Sequence, residues 1–137
     1  MPLVMAFGTL KRGFPLHDQG LAEAEYLGAY VTAEPYPLVI AGPWFAPMMF
    51  DRPGEGERVH GELYRVDETR MVTLDRMESV GLPGNFRKQV HVVPVAGGPA
   101  ASAWAFMKSP ELAAPVHSGF LAKYEDRRFI PPEARPE

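Results

Sequence analysis

The chain contains no cysteine. That absence excludes disulfides, a thiolate nucleophile and any cysteine-ligated zinc, and it fits a reducing compartment. Long apolar runs are missing too: no stretch approaches the roughly 20 residues a membrane-spanning helix needs. The opening apolar run, Leu3 to Phe7, is too short for a secretory leader and follows no basic stretch, so a cytosolic location is expected. Positive charge is not in surplus. A net charge of -3 and a pI near 5.8 give no basis for nucleic acid or an anionic membrane as partner.

Other chemistries are excluded by spacing. His17, His60, His91 and His117 lack the intervals of a metal site, and no HExxH occurs. The chain has no Gly-Lys-Ser/Thr of a phosphate loop and no GxSxG around Ser79, Ser102, Ser109 or Ser118. No repeat or low-complexity segment is present.

What remains is a globular chain of 137 residues, 46% of them hydrophobic and 11% aromatic, enough for one domain with one real core. The domain is expected over residues 1–130, with "PPEARPE" at 131–137 as a loose tail. The 15 prolines are scattered among aromatic and β-branched runs, so they point to bends and sheet edges rather than disorder.

Leu3–Phe7 reads as a buried strand ending at Gly8. A weak helical stretch follows around 16–24, then strand-like segments on both sides of Pro35-Tyr36-Pro37, and a short candidate at "APMMF", 46–50. "VHGELYRV", 59–66, alternates Val59, Gly61 and Leu63 against His60, Glu62 and Tyr64, the period of a half-buried strand. "FRKQVHVVPV" and "ASAWAFMK" are two more strands, joined by "AGGPA". Between "VHGELYRV" and this pair lies the one convincing helix, 67–79, with Asp67 as N-cap and Gly81 and Pro83 beyond its end. This order predicts an α+β domain: a small closed or strongly curved mixed barrel with flanking helices.

One residue is out of place on that helix. Met71, Leu74 and Met77 form its apolar stripe, and Glu78 falls about 20° from the same line. A carboxylate there meets both burial and the negative end of the helix dipole. Each raises its pKa, as a general base working near neutrality requires. The alternatives are a solvated rim residue or a partner of Arg87 or Lys88. Asp75 is either a second acid beside Glu78 or a surface spectator. Trp44-Phe45 is either a lid or an aromatic plug, and Lys11 and Arg12 either steer an anion or are simply solvated.

Taken together, "FGTLKRG" at 7–13, "EPYPLVIAG" at 34–42, "VHGELYRVDE" at 59–68 and "LDRMES" at 74–79 resemble the γ-glutamylcyclotransferase-like family, most nearly its γ-glutamylamine-specific branch. The match covers most of the chain and weakens from about residue 108. It implies a barrel, a substrate loop at Phe7, Gly8, Thr9 and Leu10, and a catalytic glutamate at Glu78. It also implies a small-molecule γ-glutamyl substrate, with no metal and no organic cofactor. The implied reaction is attack of the substrate's own α-amine on its γ-carbonyl, releasing 5-oxoproline and an amine. Phe7 and Phe86 stand where the family usually has tyrosine, which implies weaker binding or a shifted glutamyl substrate. Another γ-glutamyl amino acid, a γ-glutamyl-protected metabolite, or a non-catalytic binding module of the same fold are the alternatives.

Overall fold

In the computed structural model, residues 1–136 are described. The elements in chain order are β1 (Leu3–Ala6), α1 (His17–Gly20), β2 (Glu25–Tyr36), β3 (Leu38–Ala41), β4 (Ala46–Met49), β5 (Glu57–Arg65), α2 (Glu68–Met77), β6 (Asn85–Pro94) and β7 (Ala101–Lys108). Five strands close a barrel in the order β1-β5-β2-β6-β7, and β3 and β4 form a separate hairpin. All barrel pairs are antiparallel except β1 with β7, so the barrel is mixed as expected.

The unbroken apolar run of β1 follows from its burial on both faces. Met5 points into the barrel with Leu63, Val90, Val92, Ala103, Ala105 and Met107. Val4 and Ala6 point outward into a second core, made with Tyr64 and Phe106 beneath Met71 and Leu74 of α2. The same alternation runs along β7. Ala103, Ala105 and Met107 face inward, while Trp104 and Phe106 lie under the helix.

The predicted 16–24 helix shrinks to the single turn of α1. Strand pairing wins over helix propensity here, because Glu25 already opposes Arg65 in the barrel. Packing also holds that turn tight. A Cβ on Gly20 would meet Leu10 at 2.7 Å and Leu74 at 3.1 Å, so the turn wedges between the β1 loop and α2. Proline falls where a ladder can spare an N–H: Pro35 marks the end of a register shift between β2 and β5.

Past β7 the chain runs along the β3–β4 hairpin, with His117 N donating to Ile40 O and Leu121 N to Leu38 O. It then buries Tyr124 in the barrel core and lays Phe129 against the helix-side core. A 3-10 turn at Pro132–Ala134 follows. No helix is long and apolar enough to cross a membrane among the described residues.

Candidate active site

The helix that carries Glu78 is set at both ends by its own sequence. At its start, the Asp67 carboxylate accepts from Arg70 N at 2.7 Å. It stops earlier than Gly81. Ser79 takes the left-handed conformation, φ +59°. Val80 N then donates back to Asp75 O and Ser79 N to Arg76 O, the paired bonds of a Schellman stop. Glu78 is therefore the C-cap, at the point where the chain leaves the helix over the mouth of the barrel.

A cavity of about 200 Å³ lies at this point. The loop after β1 forms one wall with Phe7, Gly8, Thr9 and Leu10; Met77, Glu78 and Ser79 form another; Phe106 and Lys108 come from β7. All five residues expected at the site, Glu78 and the Phe7–Leu10 loop, border this one cavity.

The loop is a set of free donors. Three of its carbonyls are occupied: Gly8 O accepts from Lys11 N, Thr9 O from Leu16 N, and Leu10 O pairs with His17 Nδ1. Among the described residues, the N–H groups of Gly8, Thr9 and Leu10 have no acceptor within the protein. Gly8 must lack a side chain, since a Cβ would meet the Pro47 ring at 2.8 Å. That contact presses the loop against β4 at the cavity's edge.

Glu78 is half-buried, and burial pushes its carboxyl above the usual range, with the Lys108 ammonium pulling partly the other way. Lys108 is correspondingly lowered by its own burial and raised by Glu78. Its Nζ donates to the main-chain carbonyl of Glu78 at 3.3 Å and to Asn85 Oδ1.

The competing roles are disposed of by geometry. Arg87 pairs with Asp75 at 2.9 Å and Lys88 with Asp51 at 2.6 Å, so neither holds Glu78 and Asp75 is committed elsewhere. Lys11 is not solvated: it is 5% exposed, donates to Tyr124 O at 2.7 Å and sits over the Phe14 ring, away from the cavity. Arg12 is exposed and lies 3.6 Å over Tyr26. Phe45 stacks on His117 and Trp44 lies under Arg135, while their neighbours Ala46 and Pro47 line the cavity. Phe7 is on the cavity wall; Phe86 instead packs against the barrel core opposite Met107. No cluster of three or more metal-ligating side chains occurs among the described residues.

Sequence reasoning missed Phe129 and Arg135 and gave Lys108 no role of its own, though all three border the cavity. A signal for Lys108 existed: in "AWAFMK" it continues the row of Trp104 and Phe106, so period two puts it under the helix. Arg135 carried no local signal.

The family model described as "Gamma-glutamyl cyclotransferase, AIG2-like" matches residues 4–126. The chain belongs to that family. A γ-glutamylaminecyclotransferase of Rattus norvegicus is 39% identical over 124 residues, covering 84% of this chain and 82% of the rat protein. γ-Glutamylaminecyclotransferase B of Danio rerio is 45% identical over 82 residues, 57% of this chain but only 43% of the fish protein. The chain thus spans less than half of that relative. The crystal structure of an AIG2-like protein from Mus musculus superposes with a TM-score of 0.85 at 30% identity, covering 98% of this chain and 99% of the mouse chain. Shared family membership extends over both the β1 loop and the end of α2, the two walls of the cavity.

Proposed function

We propose that this protein is a γ-glutamylamine cyclotransferase, acting on a small γ-glutamyl amide such as ε-(γ-glutamyl)lysine. The observation that carries the reading is the pairing of a carboxyl made basic by burial with three unpaired main-chain donors across one cavity. Family membership and relatives that bear the name γ-glutamylaminecyclotransferase support it. On this reading the enzyme is cytosolic and needs neither nucleic acid nor membrane.

The chemistry follows from the parts. Glu78 takes a proton from the substrate's α-ammonium. The freed amine attacks the γ-carbonyl carbon, closing a five-membered ring and placing negative charge on the carbonyl oxygen. The N–H groups of Gly8, Thr9 and Leu10 hold the glutamyl half and that oxygen. The proton on Glu78 passes to the departing nitrogen as its bond to carbon breaks. The ring nitrogen, which still carries two hydrogens after the attack, then gives its second proton to the Glu78 carboxylate. Glu78 hands it to the released amine, leaving 5-oxoproline, an ammonium product and the base restored. Because the nucleophile belongs to the substrate, the protein's tasks are to fold the chain of the substrate and to relay protons from its α-nitrogen to the departing nitrogen. The apolar wall of Phe7, Leu10, Leu16 and Phe106 assists by keeping the base poorly hydrated.

Incubation with ε-(γ-glutamyl)lysine is expected to release 5-oxoproline and lysine. Glu78→Gln should lower kcat by at least about 100-fold, the low end of what a positioned base contributes. Equal turnover by both proteins would remove Glu78 from the mechanism. Comparison with γ-glutamyl α-amino acids tests the choice of leaving amine.

A further inference from the structure

We propose that Lys108 is the positioning residue for Glu78: its ammonium holds the helix end that presents the carboxylate and places a compensating positive charge beside it. The inference rests on the reading of Glu78 as the base of a cyclotransferase. It begins with a placement that the strand dictates. Lys108 is the last residue of β7, on the face that carries Trp104 and Phe106 under α2, and its register partner is Asn85 at the start of β6. A long side chain there reaches the C-terminus of the helix above it.

What it reaches is the carbonyl of Glu78 itself. The last carbonyls of a helix lack intrahelical partners and carry the negative end of its dipole, so a lysine there both caps and compensates. Asn85 Oδ1 holds the same ammonium from the other side, fixing its position. The bond runs through the main chain rather than to the carboxylate, which leaves the carboxyl oxygens free for a substrate proton.

No other group near the carboxylate duplicates this role. On α2, Asp75 is taken up by Arg87 of β6, and Arg76 is exposed. The β1 loop contributes no charge to the cavity, because Lys11 is turned to Tyr124. Arg135, the remaining cation on the cavity wall, is tied to Ile130 O and lies over Trp44 and Phe129. The pKa directions agree: Lys108 draws Glu78 down against its burial, and Glu78 draws Lys108 up. The Lys108 charge thus acts on the carboxylate against the burial that raises it.

The test is a ¹³C NMR titration of glutamate side-chain carboxyls, with the Glu78 signal identified by its loss in Glu78→Gln. Lys108→Gln keeps a donor for the carbonyl but not the charge, and its Glu78 should titrate at higher pH than in the wild type. The acidic limb of kcat/KM should move the same way. Lys108→Arg should keep both near their wild-type positions. Equal midpoints in all three proteins overturn the proposal. If Lys108→Gln does not fold, the other two decide: the wild-type Glu78 signal should show a second, alkaline inflection as Lys108 loses its proton, absent in Lys108→Arg. A wild-type signal without it also overturns the proposal. The titration needs no turnover, so a folded chain that releases no 5-oxoproline would undo the cyclotransferase reading and leave the Lys108 result standing on its own.

Discussion

A carboxylate at the end of a helix, set among apolar side chains, works against folding. Glu78 has its carboxyl raised chiefly by burial, so the folded state binds its proton more tightly than the unfolded chain does. Stability from this group is therefore fully present below the unfolded glutamate range, about 4.3, and is lost as pH rises through the higher folded value. Glu78→Gln, a neutral side chain of the same shape, should raise Tm at neutral pH. The gain should shrink to nothing as the buffer is taken below pH ~4. Thermal unfolding of both proteins across that range checks the sign. The same substitution is expected to lower kcat by at least about 100-fold, so stability and activity trade against each other at one residue.

Among elements, α2 was the most legible and its end the least. Asp67, the stripe of Met71 and Leu74, and the near alignment of Glu78 could all be read from spacing, because an N-cap and a 3.6 period are local. The stop was misplaced by the sequence reading because Gly81 is the stronger signal on paper, whereas Ser79 takes the left-handed conformation two residues earlier. A non-glycine residue there costs on the order of 1 kcal/mol. Ser79→Gly should return about that much, seen as a higher midpoint in urea unfolding with an unchanged slope. A lower midpoint would mean that the serine hydroxyl supports the turn. The strands show the converse. β1 was legible because burial on both faces leaves an unbroken apolar run, and β5 because buried Val59, Gly61 and Leu63 alternate with exposed His60 and half-buried Glu62, although Tyr64 on that second face turns out to be buried under the helix. The shrinkage of α1 was not legible, since it depends on Glu25 finding Arg65 far along the chain.

At the scale of the whole molecule, the cavity is assembled from segments remote in sequence, which is why only half its wall could be read. Motifs mark the β1 loop and the end of α2. Nothing marks Phe129, Pro132 and Arg135, which come from the far end of the chain and border the same space. Arg135 lies 5.0 Å over the Trp44 ring and donates to Ile130 O at 2.9 Å, and Ile130 N is held by Trp44 O. Residues 131–136 contribute no side chain to the two main cores, whereas Phe129 packs against the helix-side one. A chain ending at Ile130 should therefore keep the barrel and lose one wall of the cavity. The expected result is a Tm within a few degrees of the full chain, since surface changes are worth about 0.5 kcal/mol or less, together with a raised KM for γ-glutamyl amides and a smaller change in kcat. Arg135→Met separates the two contributions, removing the charge while keeping an apolar arm over Trp44. If the shortened chain bound and turned over substrate as the full chain does, the last residues would be an appendage to the domain rather than part of its site.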